Sequence, residues 1–486
     1  MRRLAVFAAL LAVASVPVFS TVLPPLVDYP NHLARMHLLA EGGNAYYAER
    51  WAPLPNLAAD LVIPVLARVM PLALAGKLFL VASFALLAGG VFWLNRMAAG
   101  GWRWWPLLAF LFLYNRILLW GFINDLFGLG LALCGLALWL ALEERTASLR
   151  VAVSSLVALA CFFAHLVAFG VYALALAGIE AVPASGETPR EIARRAGIAA
   201  VQFVAPAAIF LLWWHGSAGG PVSYAGFLRK ADLLFSVFDN YNRAFDVTCF
   251  VLLAAALIFL AATRRLVFAP RILAALALLF AAYLLLPSQL LSGSGADHRL
   301  PVALFLLLIA GASPQLARRE GLALAAAAGL MFVARMGVIE RVWLRSDAVY
   351  AADLAVLDRL PEGPKLAVAF PVGEEQAGAI PLLHLPALAV ARREAFVPTL
   401  FAFPAQQPLA LTPAAKALAD ASIPPGWWLA FVEGDRRAQQ MIRPLAAQFD
   451  YVVFLDRRPF DLPSTPCLSP VAAQPDFRLA RIVPGC

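Results

Sequence analysis

The sequence VAVSSLVALACFFAHLVAFGVYALALAGIEAV, residues 151–182, is one long apolar run between two arginine clusters. A single helix of this length would be about 48 Å long at 1.5 Å per residue. The hydrocarbon core of a membrane is only about 30 Å thick. Two helices that turn near His165 fit this thickness, although tightly. The run therefore predicts a helical hairpin in a membrane, with His165 at its tip as either a site residue or a hydrogen-bonded structural residue.

The composition of the whole chain supports the same environment. Its 486 residues are 62% hydrophobic and 14% charged, and the mean hydropathy is +0.78. A soluble protein has about 25% charged and about 45–50% apolar residues. These values exclude a soluble enzyme, a disordered protein and a fibrous repeat. Long Leu, Ala, Phe and Val runs also favour membrane helices over the short alternating segments of a transmembrane barrel.

The net charge of +8 comes almost entirely from arginine, because the chain has only four lysines. The arginines stand in short clusters between apolar runs, as the positive-inside rule predicts for cytoplasmic loops. No basic stripe of the kind that binds nucleic acid is visible. The five cysteines show no metal-binding spacing. We therefore expect a multi-pass protein of a bacterial inner membrane.

Eleven apolar runs are predicted to cross the membrane. They are residues 4–23, 71–94, 104–119, 122–142, 151–165, 166–182, 198–214, 246–262, 272–287, 300–314 and 321–338. The arginine clusters then place the N-terminus in the cytoplasm and the C-terminus outside. The first run also resembles a secretory signal, but we expect it to be retained as the first helix.

The composition changes near residue 340, where charged residues and prolines replace the apolar runs. We predict a polytopic transmembrane domain over residues 1–339, with a large outer loop at 24–70, and an extracytoplasmic α/β domain over residues 340–486. The predicted strands of this second domain are Lys365–Val372, Tyr451–Leu455 and Phe477–Val483, and its predicted helices are residues 411–421 and 435–448.

Two of the cysteines, Cys467 and Cys486, lie in the polar tail. In an oxidising compartment they could form a disulfide that closes a loop of about 20 residues and contributes on the order of 3 kcal/mol. Two unpaired thiols are the alternative.

Polar residues outside the arginine clusters gather on the predicted outer side. Asp28 directly follows the first helix, so it is either the N-cap of a helix starting near Pro30 or a site carboxylate. His32 and Arg35 follow it by four and seven residues, on one face if the segment is helical. An acid, an imidazole and a cation on one face make a general-base and phosphate-binding set. A solvated amphipathic face is the alternative interpretation.

The other candidates lie at hairpin tips and span ends. Asp125 is a second candidate acid, at the tip between the third and fourth spans. The adjacent basic residues Arg229 and Lys230 are interpreted as a solvated face. Arg243 and Arg299 would bind either lipid head groups or a substrate phosphate. Arg116 lies at a hairpin tip, where interfacial anchoring is the alternative to a site role, and Lys77 can extend its charged end to the outer interface.

A transporter is expected to carry ionisable residues near the bilayer midplane on broken helices, whereas the middles of these runs are almost free of charge. A site at the membrane–water boundary instead suits a substrate that is half lipid and half polar. A non-catalytic membrane subunit that binds glycans or lipids is the alternative to an enzyme. A transporter of lipid-linked substrates is a third possibility.

The first helix with its N-terminus inside, the acidic residue directly after it in a large outer loop, and about eleven helices before an outer domain resemble the GT-C superfamily. This superfamily includes protein O-mannosyltransferases, aminoarabinose transferases and oligosaccharyltransferases. The resemblance implies transfer of a sugar from a polyprenyl-phosphate carrier to a glycan, lipid or protein acceptor outside the cytoplasm. Family members carry a catalytic aspartate at the position of Asp28, and commonly a second acidic or polar residue at that of Asp125. Tyr29 stands where the family frequently has a second acid.

The resemblance also implies roles for the remaining candidates. Asp28 would accept the acceptor's proton as the acceptor attacks the anomeric carbon. His32 and His165 would contact the substrate or, with Asp28, a divalent cation. We expect no metal and no other cofactor. The cations that would offset charge on the leaving phosphate are Arg35, Lys77, Arg116, Arg243 and Arg299.

Overall fold

The computed structural model describes residues 1–213, 222–290, 293–370, 381–420, 422, 442–456, 460, 462 and 465–485. Most of the described chain is helical. The helices are α1 Arg2–Ser20, α2 Tyr29–Glu41, α3 Ala58–Ala67, α4 Leu72–Ala99, α5 Arg116–Trp120, α6 Ile123–Ala141, α7 Ala147–Ala164, α8 Leu166–Ala181, α9 Pro189–Val201, α10 Val204–Trp213, α11 Phe227–Phe235, α12 Arg243–Ala262, α13 Pro270–Leu285, α14 Ala296–Gly311, α15 Arg318–Leu357, α16 Leu388–Arg393, α17 Pro413–Asp420 and α18 Ile442–Ala446. Two 3-10 helices cover Trp105–Phe112 and Leu385–Ala387.

The strands are short and lie mostly in the C-terminal part of the chain. They are β1 Tyr47–Glu49, β2 Leu266–Phe268, β3 Gln289–Leu290, β4 Gly293–Ser294, β5 Ala312–Pro314, β6 Leu366–Ala369, β7 Leu409–Leu411, β8 Tyr451–Leu455, β9 Leu468–Ala473 and β10 Phe477–Ile482.

Several described helices have the length and composition of membrane spans. Within the described ranges, six are long and apolar enough to cross a membrane, and a seventh is found if α9 and α10, bent by 52°, form one span. The other apolar helices, such as α8 and α13, have 10–17 residues. The prediction of a multi-pass helical membrane protein is confirmed, whereas the count of eleven spans stays a prediction.

The apolar run 151–182 forms two helices, as predicted from its length. Helix α7 ends at Ala164 and α8 begins at Leu166, and His165 between them has an extended backbone. The run 104–119 differs from the expected continuous helix. It consists of a 3-10 helix and the short α5, which starts after Asn115. The Asn115 side chain accepts from the Leu118 amide and donates to the Phe112 carbonyl, so it caps the new helix and ends the old one.

The chain forms two compact units. Unit 1 comprises residues 1–18, 52–59 and 78–340, and unit 2 comprises residues 19–51, 60–77 and 341–486. Unit 2 therefore contains the C-terminal region together with most of the predicted outer loop. The division into a transmembrane and an extracytoplasmic domain stays a prediction.

Unit 1 is a bundle of closely packed apolar helices. Helix α8 packs on both α6 and α13. A Cβ atom on Gly178 of α8 would lie 2.5 Å from the Cα atom of Ala275 in α13. A glycine here lets the two backbones approach closely, as small residues commonly do in membrane helix pairs.

Unit 2 contains a four-stranded sheet with strand order β6-β8-β10-β9. Strands β6 and β8 are parallel, and the other neighbours are antiparallel. The three predicted strands are present as β6, β8 and β10, with β6 shorter than expected. Strand β9 was not predicted, because it contains Pro470 and lies at the sheet edge, where proline is tolerated and apolar alternation is weak.

Several sequence-based predictions fall partly outside the described residues, among them the ends of the span 198–214, the strand Lys365–Val372 and the helix 411–421. The predicted helix 435–448 is described only from residue 442, where α18 begins. The proposed disulfide involves Cys486, which lies outside the described residues. Helix α2 of unit 2 packs against α16 and the 3-10 helix before it, and this packing forms the first part of the candidate site.

Candidate functional site

The predicted site residues divide between the two units. Unit 2 holds Asp28, His32, Arg35 and Lys77, and unit 1 holds Arg116, Asp125, His165, Arg243 and Arg299. The two groups are described in turn.

Asp28 stands at the N-cap position of α2, but its side chain makes no capping hydrogen bond. Its Oδ1 atom instead lies 3.4 Å from Nε2 of His384. The Asp28 and His384 side chains are 17% and 12% exposed, so both are largely buried yet still reach the surface of the unit. Asp28 therefore stands at the N-cap position, but its carboxylate does not cap the helix and lies next to His384 instead.

Asn31 determines which nitrogen of His384 carries the proton. Its Oδ1 accepts from the Phe401 amide at 2.7 Å, and its Nδ2 donates to the Thr399 carbonyl at 2.8 Å. These backbone contacts fix the orientation of the amide, so Nδ2 is the atom 3.0 Å from His384 Nδ1. Since Nδ2 can only donate, Nδ1 must accept. The neutral imidazole then carries its proton on Nε2, which faces Asp28.

Sequence reasoning missed His384. It lies in the segment Pro381–Leu388, which has no other charged residue, and more than 350 positions separate it from Asp28. Nothing in the local pattern indicates a pair with an acid. The Phe401 ring packs against His384 at a centroid distance of 4.9 Å and against His32 at 5.9 Å. His32 is thus buried beside the pair, on the same apolar ring.

Tyr29 follows Asp28 and is completely buried. Burial raises the pKa of its phenol well above the usual range, so the group stays protonated. Tyr29 therefore cannot supply a second negative charge beside Asp28.

Arg35 occupies a different environment from the one expected of a phosphate ligand. Its Nε and Nη2 atoms donate to Asp60 Oδ1 and Oδ2 at 2.7 and 3.2 Å, and both side chains are fully buried. This bidentate pair uses Nε and Nη2, whereas the buried Nη1 has no hydrogen-bond partner among the described residues. Asp60 was not among the sequence-based candidates, because nothing local relates it to Arg35.

Lys77, on α4, donates through Nζ to the Thr21 carbonyl, just beyond the end of α1. Cationic side chains commonly satisfy the free carbonyl groups at a helix C-terminus. The contact gives Lys77 a structural partner in unit 2.

In unit 1, Asp125 and His165 are in direct contact. Asp125 Oδ1 lies 2.9 Å from His165 Nδ1, and both side chains are largely buried. The Val167 amide, 3.2 Å from the same nitrogen, makes His165 the N-cap of α8. The hydrogen bond from the Val167 amide shows the structural role of His165, whereas its role as a site residue stays a prediction. Asn124, beside Asp125, accepts from the Ala59 amide at 2.7 Å and so anchors the start of α3.

Basic side chains cluster at the ends of α5, α11 and α12. Arg116 contacts Asp239, and Arg229 and Arg243 contact Asp232 at 3.1 and 3.3 Å. The Arg243 side chain is 65% exposed, so a ligand can reach it without breaking a buried contact.

The interpretation of Lys230 as part of a solvated face is wrong. Its side chain is buried, and Nζ donates to the carbonyl oxygens of Tyr283 and Leu286 at 2.7 and 2.8 Å. Helix α11 is strongly amphipathic, and Lys230 lies on the face that packs into unit 1. Arg229, one residue earlier, is exposed as expected.

Arg299 is a further cation, and it lies near the pair of Asp125 and His165. Its guanidinium lies 4.4 Å from the Phe122 ring centre, on the segment that leads into Asp125. Arg299 is also close enough to His165 and His298 for its charge to be felt by both rings. His298 in turn packs on Trp120 at 5.0 Å. Unit 1 therefore brings Asp125, His165 and Arg299 into one neighbourhood.

Unit 1 also contains a buried ion pair that was not predicted from the sequence. Arg335 of α15 donates to Asp246 of α12 at 2.7 Å and to the carbonyl oxygens of Phe238 and Tyr114, each at 3.2 Å. The pair stabilises the segment before α12.

No metal site is apparent in the part of the chain that the structure describes. There, no three His, Cys, Asp or Glu side chains stand close enough together to hold a metal ion. The expectation that the protein uses no cofactor stays a prediction.

The fold can be compared with known proteins. No family model matches the sequence, and no curated protein has a significantly similar sequence. Among solved structures, the chain is similar to the crystal structure of ArnT from Cupriavidus metallidurans bound to undecaprenyl phosphate. The TM-score is 0.54 and the sequence identity 15%, over 99% of this chain and 98% of that chain. At this identity the likeness shows the fold alone: the chain has the fold of this ArnT structure, and the expected resemblance is borne out at that level.

Proposed function

We propose that the protein is a GT-C-type glycosyltransferase, with Asp28 as general base. It would move a sugar from a polyprenyl-phosphate donor to an acceptor outside the cytoplasm. The observation that carries the proposal is the Asp28 carboxylate, which is not used for helix capping and faces the Nε2 proton of His384. The fold supports the donor class, because the similar structure of ArnT holds undecaprenyl phosphate.

The proposed reaction is a substitution at the anomeric carbon of the donor sugar. A hydroxyl or amine of the acceptor attacks this carbon, and its proton passes to a carboxylate oxygen of Asp28. The bond from the anomeric carbon to the phosphate oxygen breaks, and its electron pair leaves with the polyprenyl phosphate. His384 donates toward the other side of the same carboxyl group and orients it.

Within unit 1, Arg116, Arg243 and Arg299 are the proposed ligands of an anionic substrate group. Positive charge near a leaving phosphate stabilises the negative charge that develops there. His165 and Asp125 are proposed as polar contacts next to Arg299. We leave Arg35 and Lys77 out of this set, because both are already bound to groups of the protein. His32, beside Phe401, is proposed to contact substrate in unit 2.

The membrane orientation belongs to the same proposal. With the arginine clusters in the cytoplasm, the N-terminus is inside and Asp28 emerges on the outer side. Polyprenyl-linked sugar would then meet its acceptor outside the cytoplasm.

A deletion strain of the host organism tests the function. If the protein consumes a prenyl-linked sugar, this donor accumulates in the deletion strain and can be separated by thin-layer chromatography. Wild-type protein and a Glu41→Gln variant should clear it, whereas Asp28→Asn should not. Glu41 is a matched control, because it is an exposed carboxylate on the same helix.

Three outcomes would count against the proposal. Clearance by Asp28→Asn at normal abundance would remove Asp28 as the base. A deletion strain with no change in prenyl-linked sugars would favour the non-catalytic binding subunit. Flux of the labelled lipid-linked substrate across proteoliposomes, without transfer, would favour a transporter.

A further inference from the structure

A cavity of about 170 Å³ lies in unit 1, at the opposite end of α7 from His165. It is formed where α7 begins and α9 passes, on the side that the arginine clusters predict to be cytoplasmic. Its cationic lining includes Arg145, Arg150 and Arg194. Cavities for drug-sized ligands measure about 300–1,000 Å³, so this one suits a single small polar group.

The carboxylates around the cavity already have partners. Glu187 pairs with Arg195, with contacts of 3.0 and 3.1 Å. Glu191 accepts from the Thr188 amide and hydroxyl in a helix capping box. Glu143, also in the lining, pairs with Arg271 outside it, at 2.8 and 2.9 Å. The lining has four arginines and three glutamates, so these acids leave a net positive charge in the cavity.

Arg150 is the buried member of the lining. Its guanidinium stacks 3.6 Å from the Trp139 ring centre, and Nε donates to the Trp139 carbonyl at 3.0 Å. Its Nη2 atom is buried, has no hydrogen-bond partner among the described residues, and lies 3.8 Å from Glu180. Leaving such a donor without a partner is costly, so this atom indicates a missing acceptor.

Arg145 and Arg194 are exposed at the mouth of the cavity. In the part of the chain that the structure describes, neither forms an ion pair. Ala147, the first residue of α7, also lines the cavity. The positive end of this helix adds to the field of the three guanidinium groups.

We infer that this cavity binds one phosphate group, held by Arg145, Arg150 and Arg194 and supplied by an anionic phospholipid head group. Arginine donors match phosphate oxygens in bidentate geometry. Anionic lipids at the cytoplasmic surface attract such basic groups. The site is independent of the proposed glycosyl transfer. Free inorganic phosphate is the other source of the same chemistry.

Native mass spectrometry of the full chain tests the site. The protein in detergent is titrated with dioleoyl phosphatidylglycerol and, in parallel, with dioleoyl phosphatidylcholine. Wild-type protein should prefer the anionic lipid. An Arg145→Gln/Arg194→Gln variant should lose about tenfold in that preference, as expected for the loss of a charge-assisted hydrogen bond. Both arginines are exposed, so folding should be unaffected.

The matched control is Arg318→Gln/Arg319→Gln, which removes two exposed arginines on the same predicted side but outside the cavity. It should keep the preference. A third variant, Arg150→Lys, keeps the buried charge but loses the planar fork, and should also bind the lipid less well.

Inorganic phosphate distinguishes the two sources. If excess phosphate leaves lipid binding unchanged, the head group is the ligand. If phosphate alone binds saturably and this binding is lost in Arg145→Gln/Arg194→Gln, the phosphate site stands and the lipid source is wrong. Equal losses in the cavity variant and the control variant, or no lipid preference in the wild type, would overturn the site.

Discussion

The guanidinium of Arg35 and the carboxylate of Asp60 form two parallel hydrogen bonds, of 2.7 and 3.2 Å, with both side chains fully buried. The pair joins the second helix to the segment that starts at Asp60, both within unit 2. It holds the second helix, which begins directly after Asp28 and carries Asn31. Arg35 thus supports the position of the helix that follows the candidate base, and its predicted contact with a phosphate stays a prediction.

Asp60→Leu is expected to destabilise the protein strongly, because it leaves the Arg35 charge buried without a partner. The loss of one member of a buried ion pair costs about 3–5 kcal/mol. An Arg35→Met/Asp60→Leu double variant removes both charges and should recover much of that loss. Thermal unfolding in detergent measures both. Equal stability of the single and double variants would contradict the assignment of a buried ion pair.

Gly178→Ala is expected to lower the unfolding temperature. A Cβ atom there would lie 2.5 Å from the backbone of Ala275, so α8 and α13 must move apart. Overpacking of this kind costs about 1–3 kcal/mol. The control is Gly197→Ala on α9, where no atom lies within 4 Å of the added Cβ. It should be neutral or stabilising by up to about 1 kcal/mol. Similar unfolding temperatures for the two variants would show that these helices do not pack this closely.

Arg243→Gln is expected to raise the KM for the prenyl-linked donor while kcat and stability change little. The side chain is 65% exposed and its partner Asp232 is partly exposed, so the ion pair itself contributes little to folding. One lost contact between a guanidinium and a phosphate corresponds to about tenfold in affinity. Steady-state kinetics with the accumulated donor measures both constants. Arg318→Gln serves as the charge control, and an unchanged KM in Arg243→Gln would exclude this residue from donor binding.

Asn31→Asp is expected to lower kcat while leaving KM for the donor unchanged. An ionised aspartate can accept from the Phe401 amide but cannot donate to His384 Nδ1. The imidazole proton then moves to Nδ1, and the Nε2 lone pair faces the Asp28 carboxylate. The carboxylate also loses the bond from Asn31 to the Thr399 carbonyl, so thermal unfolding is measured in parallel to separate a fall in kcat from a loss of stability. A normal kcat would show that the tautomer of His384 does not affect the rate of transfer.

Parts of the fold could be predicted from local sequence. The break at His165 follows from the length of an apolar run compared with the thickness of a membrane. The start of the helix after Asp28 follows from Pro30 at its first turn. Strands β8 and β10 are apolar enough to be recognised alone.

The partners of the site residues could not be predicted, because they are separated along the chain. His384 faces Asp28 only once unit 2 has folded, and Asp60 has no local relation to Arg35. Arg335 and Asp246 lie on different helices, 89 positions apart. Lys230 was also predicted wrongly. Its charged neighbour Arg229 suggested a solvated surface, but the Lys230 side chain is buried in unit 1. Whether a charged side chain is buried, and which residue it pairs with, depends on the tertiary fold. A local sequence pattern therefore does not reveal either.

The central claim is that the Asp28 carboxylate accepts the acceptor's proton. The most direct test is the rate at which purified protein consumes the prenyl-linked sugar isolated from the deletion strain, compared among wild type, Asp28→Asn and Glu41→Gln. General-base catalysis contributes about 10²–10⁴-fold. Asp28→Asn should therefore be slower than wild type by such a factor, with donor binding intact and Glu41→Gln unaffected. A rate for Asp28→Asn close to that of the wild type would contradict the account.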